Sequence, residues 1–504
     1  MATASRIYSD ASRSPRLTWC PSGEGSDSRS EDEDRESELA TASQPIALRS
    51  VAVQSHPRRR NDICNVPRQL MSASDYITID FPVHEREVGG HPDGIVYRML
   101  LTHAACSRRP TWVLDTTASP PYHRAMDATV LTDLASFPAA QWNGLVGADN
   151  PFLSHEFLAG LEQTQSLSPD VGWQPYHLAL RDSAGLAVAV PGYLKGHSWG
   201  EFVFDWAWAD AYERNSIPYY PKLVHAVPYT PATGPRILHR ADVPAGDAVA
   251  AAVAASCGAV ESQGLSSAHW LFPEPGQAER LEAADLLPRL GCQFHWRNHP
   301  GYRDFQDFLD GLNSKRRKSI RRERRLTADA GVAMEVRSGR EITDADWRAF
   351  HGFYRQTFRD HGNIPLLTLA FFRHCGATLG ERVIMIQARR DDALVGAALL
   401  FRSADTLYGR FWGCAEDIPG MHFETCYYQG IEYCIAHGLQ VFEPGAQGEH
   451  KIARGFLPTR THSRHWIADP RFRAAIADFL RRETPLVQAY MAEMERHSPY
   501  RMAQ

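Results

Sequence analysis

A chain of 504 residues is too long for one ordinary core, and a formal net charge of −5 gives it no overall field that would draw it to nucleic acid or membrane. Its nine cysteines, an odd number with no Cys-x-x-Cys pair, argue against a disulfide framework and a structural zinc site, and fit reduced thiols in a cytoplasmic protein. No apolar run approaches a membrane span, and the N-terminus lacks a signal-peptide core.

Residues 1–125 do not read as a packed domain. Ser26 to Glu38 is dense in charge, Pro57-Arg58-Arg59-Arg60 follows without hydrophobic period, and Ile95 to Leu101 is an isolated apolar patch. Such a stretch buries too little apolar surface to offset its ordering entropy, so a disordered or dispensable extension is expected. A start of translation at Met71, Met99 or Met126 is the alternative.

Residues 126–292 read as a first α/β domain. Asn150-Pro151-Phe152 opens a capped helix, and His177 to Leu180 and Leu186 to Val190 form a hairpin around Asp182 to Gly185. An aromatic run, Phe202 to Tyr212, and the proline- and tyrosine-rich Pro218 to Pro235 suggest a groove wall, although loop packing accounts for them as well. Helix Ala245 to Gln263, strand His269 to Phe272, helix Gly276 to Leu290 and strand Cys292 to Trp296 complete it.

Residues 293–504 repeat the grammar, as a duplicated mixed α/β unit would. Adjacent helices cover Tyr302 to Leu312 and Ser314 to Ala330, followed by strand Val332 to Val336 and an amphipathic helix, Asp344 to Arg359. A second hairpin, Val383 to Arg389 with Leu394 to Phe401, leads to strand Thr406 to Trp412 and helix Met421 to His437. Cys426 and Cys434 fall inside that helix and read as core. A short strand, Leu439 to Phe442, then opens into Glu443-Pro444-Gly445-Ala446-Gln447-Gly448-Glu449-His450-Lys451. Two carboxylates, an imidazole and an ammonium in a glycine-broken loop beyond a strand's carboxyl end form the main candidate site.

Two further motifs carry charge. In Lys315 to Arg325, Arg317, Arg321 and Arg324 share one helix face while Lys315, Lys318 and Arg322 share another. Like charges this dense are relieved by an anion, and guanidinium forks match phosphate oxygens, so Lys315, Arg316, Arg317 and Arg321 are candidate phosphate ligands; a solvated face is the plain alternative. Arg410-Phe411-Trp412-Gly413-Cys414-Ala415 fits the loose Arg-x-x-Gly-x-Ala spacing of a coenzyme A pyrophosphate loop, which makes Arg410 and Gly413 candidates too.

Asn150-Pro151-Phe152, the Lys315 to Lys318 block and, above all, Phe442 to Lys451 resemble the FemAB-like family of N-acyltransferases, over roughly Asp127 to Glu483. The resemblance implies two tandem domains of the acyl-CoA N-acyltransferase (GNAT) fold, α/β with mixed sheets. It also implies transfer of an acyl or aminoacyl group to an amine, in peptidoglycan biosynthesis or recognition. The co-substrate would be acyl-CoA or aminoacyl-tRNA, a phosphate-bearing donor, with no tightly bound cofactor; the acceptor would be an amine. Such a reaction needs a base, an oxyanion donor and a proton for the leaving group. Glu449 or His450 could be the base, Lys451 the oxyanion donor, and Glu443 the group that orients the amine. Metal binding by Glu443, Glu449 and His450 competes, without ligand spacing to support it. From another class, a non-catalytic binder of anionic glycan or peptide precursors would use Lys315 to Arg325.

Overall fold

The computed structural model describes the backbone of Tyr97–Met99, and residues 126–147, 150–446 and 448–501. All of them fall in one unit, Ser74–Gln504. The expectation of disorder for residues 1–125 lies outside the described residues, apart from Tyr97–Met99. Those three form β1, which pairs antiparallel with β2 (Met126–Leu131).

The first sheet is built around the predicted hairpin, β4 (His177–Asp182) and β5 (Gly185–Val190). Leu186 to Val190 are all buried, as a strand covered on both faces should be. With β1, β2 and β8 (Leu238–His239) the strand order is β1-β2-β4-β5-β8.

The second sheet has eleven strands and runs through both halves of the chain. From the first half come β3 (Trp173–Pro175), β6 (Tyr193–Lys195), β7 (Lys222–His225), β9 (Ser267–Leu271) and β10 (Leu287–Arg297). From the second come β11 (Ala333–Ser338), β12 (Val383–Arg390), β13 (Ala393–Arg402), β14 (Thr406–Cys414), β15 (Val441–Glu443) and β16 (Leu457–Ile467). Their spatial order is β11-β12-β13-β14-β15-β10-β16-β9-β7-β6-β3. The fold is thus α/β with mixed sheets. Yet the expected boundary at residues 292 and 293 falls inside β10, which pairs with β16 from Leu287↔His465 to His295↔Leu457.

One hydrophobic core also spans the two halves. Phe152 packs against Phe401 and Tyr408 with ring centroids 5.2 and 5.1 Å apart, and Phe157 meets Phe371 at 5.4 Å. Local signals hold where capping is strong: Asn150 accepts from Phe152 N–H, and Thr343 and Asp346 form a reciprocal capping box on helix Asp344–Asp360. The expected helix Gly276 to Leu290 is shorter, Pro275–Ala283. Asp285 takes φ +64°, which a helix cannot continue through, and the chain enters β10. Among the described residues no helix is long and apolar enough to cross a membrane.

Candidate functional site

β15 lies between β14 and β10. It runs parallel to β14, with Leu407↔Phe442 and Tyr408↔Glu443, and antiparallel to β10, with Trp296↔Phe442. It stops at Glu443 because Pro444 has no N–H to donate and Gly445 turns away at φ +100°. β14 continues to Cys414 and β10 extends back to Leu287, so past Glu443 no strand separates them. The sheet therefore opens there into a cleft lined by Ala232, Gln293, Tyr408, Arg410, Glu443 and Gly445. Its enclosed space is only about 10 Å³, about the room of one water.

Glu443 is the buried carboxylate of this cleft. One oxygen accepts from the Thr233 N–H at 3.3 Å, and the other stands 3.9 Å from His295 Nδ1. Burial pushes its carboxyl up from the ordinary 4.5 to about 7, against the opposing pull of the Thr233 N–H and of Arg236, Arg410 and Arg297. His295 is not an ionic partner, since burial lowers it to about 3 and leaves it neutral. Its Nε2 lies 3.0 Å from Gln293 Oε1, and Gln293 Nε2 donates to the Pro231 carbonyl at 2.9 Å. Lys451 does not line the cleft but touches its edge: its ammonium donates to the carbonyl of cleft-lining Gly445 at 2.9 Å. Burial lowers it from 10.5 to about 7.

Glu449 and His450 do not join them. Glu449 is exposed and accepts from the Tyr490 hydroxyl at 2.9 Å, on the C-terminal helix Pro470–Arg496. His450 Nε2 lies 2.9 Å from the Tyr427 hydroxyl, and burial lowers the imidazole to about 4. Glu449–Arg454 is a 3₁₀ turn, in which successive side chains fan out by about 120°. One residue therefore faces solvent, the next faces Tyr427 and the third points inward. The expectation of Glu443, Glu449 and His450 at one centre is corrected accordingly, and the same divergence leaves them no common point for a metal.

The coenzyme A reading of Arg410 to Ala415 is also corrected. Arg410 and Gly413 lie within β14, whose backbone is engaged in the ladder with β13 (Gly396↔Cys414, Ala397↔Gly413), not free at a helix start. Gly413 is glycine for packing, because a Cβ there would come within 2.6 Å of the Phe353 backbone. Arg410 instead turns its guanidinium to the cleft, where burial lowers it to about 9.

Helix Ser314–Asp329 forms as expected, but its two basic faces differ. Arg317 pairs with Asp310 at 3.3 Å and Arg321 donates to Gln306 at 3.0 Å. Arg324 binds both Glu424 and Glu432, at 2.9 and 3.0 Å. Lys315, Lys318, Arg322 and Arg325 are exposed, and Arg316 is half-buried. An incoming anion would find free the Lys315, Lys318 and Arg322 face, not the Arg317 and Arg321 face. Neither meets Arg410 and Gly413 in one phosphate site.

Sequence reasoning passed over Gln293, His295 and Tyr427. The first two had a signal, since polar residues two apart in an otherwise apolar strand share one face. Tyr427 had none: a wide turn, Glu424–Tyr428, interrupts the helix Met421–His437 and re-aims it. A larger hollow of about 410 Å³ lies beside helix Trp206–Arg214, lined by Ala209, Glu213, Ile217, Tyr219 and Tyr220, and holds no predicted site residue.

No curated protein matches the chain. Among solved structures, FemX is 9% identical with a TM-score of 0.38, over 66% of this chain and 92% of that one. A tandem GNAT protein from the clavulanic acid biosynthesis pathway is 12% identical with a TM-score of 0.37, over 68% and 99%. L-PGS from Bacillus licheniformis is 9% identical with a TM-score of 0.37, over 64% and 95%. At such scores no residue role or substrate passes from them to this chain. The profile of the FemAB-like family, described as peptidoglycan biosynthesis/recognition, matches residues 133–502, which takes in every strand but β1 and β2 and includes the cleft at Glu443, and the chain belongs to that family.

Proposed function

We propose that the protein transfers an acyl or aminoacyl group to an amine at the Glu443 cleft, in peptidoglycan biosynthesis. The observation that carries this reading is Glu443 itself: a buried carboxyl held near 7, at a point where the large sheet opens beyond a strand end. A base titrating near working pH is suited to take the proton from an ammonium group. The amine nitrogen then forms its bond to the donor carbonyl carbon, and the carbon–oxygen or carbon–sulfur bond to the donor breaks. Lys451, buried and without a carboxylate partner, supplies positive potential for the developing oxyanion. The proton held by Glu443 is available to the leaving group, and the second proton that the nitrogen sheds as the amide forms is released to water. A donor bearing phosphates, aminoacyl-tRNA or acyl-CoA, would meet the exposed Lys315, Lys318 and Arg322. A non-catalytic binder of anionic precursors would use the same basic face, but would have no need of a carboxyl raised at the strand end.

The test is turnover by Glu443→Gln and Glu449→Gln with each donor class in turn. Glu443→Gln should lose roughly a hundredfold to ten-thousandfold while remaining folded, and Glu449→Gln should stay within about twofold. Full activity in Glu443→Gln would overturn the assignment of the base, and absence of turnover with every donor would favour the binder.

A further inference from the structure

The cleft lining carries one carboxylate, Glu443, and one guanidinium, Arg410, and a second guanidinium, Arg236, stands close by. The guanidinium groups of Arg236 and Arg410 both feel the Glu443 charge first among their neighbours. They are held very differently. Arg236 gives Nε to the Leu271 carbonyl at 2.6 Å, Nη2 to Ala232 at 2.6 Å, and Nη1 to Gly234 and Pro235, each at 3.1 Å. Every nitrogen is taken by backbone, so Arg236 is a structural tie. Arg410 uses only Nη2, shared between the Tyr229 carbonyl and, at 3.4 Å, Thr230 Oγ1. Its Nε is shut off from solvent and has no acceptor. No carboxylate stands within ion-pair reach of it among the described residues.

The backbone puts the side chain there deliberately. Along β13 and β14, Leu400 pairs with Gly409 and Leu399 with Phe411, so Arg410 is the extra residue of a bulge. A bulge re-aims a side chain out of the regular alternation. Here it turns a cation to the same cleft that Glu443 lines. A mere clasp for the Tyr229 turn would need one donor and would not require a bare guanidinium edge.

We infer that Arg410 receives a carboxylate carried by the molecule whose amine is presented to Glu443, so that the acceptor is an amino-acid-type group and not a simple amine. This rests on the cleft being the transfer site. The planar fork of a guanidinium matches the two oxygens of a carboxylate. Amine and carboxylate on one residue would then be gripped by the two charged groups of the cleft, Arg410 fixing the residue while Glu443 takes the proton.

The experiment uses the full chain and follows its melting temperature against acetate, glycine, methylamine, inorganic phosphate and sodium chloride at matched ionic strength. Acetate should raise the melting temperature saturably, glycine should do so at lower concentration, and methylamine and chloride should not. Arg410→Gln should move half-saturation by acetate upward roughly tenfold or more, the loss of one charged hydrogen-bonding partner. Arg410→Lys, which keeps the charge without the fork, should fall between, and decides the matter if Arg410→Gln does not fold. No saturable acetate response, an unchanged response in Arg410→Lys or Arg410→Gln, or tighter saturation by phosphate would each overturn the inference. A failed acetate response with transfer still dependent on Glu443 removes only the role of Arg410. An intact response with transfer indifferent to Glu443 removes the transfer site and leaves an anion site.

Discussion

Burial moves Glu443 and Lys451 in opposite directions for the same reason. A low-dielectric site disfavours charge, so the carboxyl rises and the ammonium falls, both to about 7. If the reaction needs Glu443 ionised and Lys451 protonated, kcat/KM should be bell-shaped with both limbs near pH 7. Glu443→Gln should abolish the residual activity's acid limb, and Lys451→Met its alkaline limb. Stability gives an independent reading. The Glu443 value lies above its unfolded one, so its contribution is complete below about 4.5 and is lost as pH rises through about 7. Glu443→Gln should therefore gain on the wild type between pH 5 and 8, by on the order of 2–3 kcal/mol in urea titrations. Lys451 has the reverse sign: its contribution is complete above about 10.5 and is lost as pH falls through about 7. A flat stability difference across this range would mean that the Glu443 carboxyl is not raised. Both residues stood out in the sequence because Pro444 and Gly445 end the strand at Glu443. That Glu449 and His450 belong elsewhere could not be read there. It depends on the 3₁₀ turn and on Gly448 at φ +119°, and neither is fixed by residue identity.

At the scale of elements, the stretch Ser198 to Trp206 has its polarity inverted. Ser198, Glu201 and Asp205 are buried, while Trp199, Phe202, Phe204 and Trp206 are exposed. The buried polar groups enclose Lys222, whose ammonium lies 2.9 Å from Glu201, 2.5 Å from Asp205 and 2.9 Å from Ser198. Hydrophobic patterning read this segment as a groove wall of aromatics, and missed that its inward face is ionic. The pattern was visible; its orientation was not, because it is set by a lysine some twenty residues away on β7. Lys222→Ala should leave Glu201 and Asp205 buried without the ammonium that bonds both and cost about 3–5 kcal/mol, measured by urea unfolding. A loss below about 1 kcal/mol would mean that water reaches the cluster and screens it. The basic helix Ser314–Asp329 shows the opposite case: its existence and its Asn313 cap were plain in the sequence, whereas which face is free depends on helix Phe305–Gly311 and on Glu424.

At the scale of the molecule, the repeated hairpins suggested two domains in tandem, and each hairpin is present. What the repeat could not reveal is that the strands closing the two halves are exchanged across the middle of a single sheet. β10 precedes the second half in sequence and pairs with its β15 and β16, and β16, near the C-terminus, pairs with β9 of the first. Long-range pairing of this kind leaves no local periodicity to read. It does make a sharp prediction. β16 occupies the centre of the sheet, between β10 and β9, so removing it leaves two unpaired edges inside the protein. A chain ended after Gly455 should lose amide protection not only near the cut but also in β4–β5 and β12–β13, neither of which pairs with β16. In the intact protein those two hairpins should open together, at the same denaturant concentration in hydrogen exchange, because the core through Phe152, Phe157, Phe371 and Phe401 joins them. Retention of β12–β13 protection in the shortened chain would show instead that the second half folds alone, with the Glu443 cleft then assembled by docking of two independent pieces.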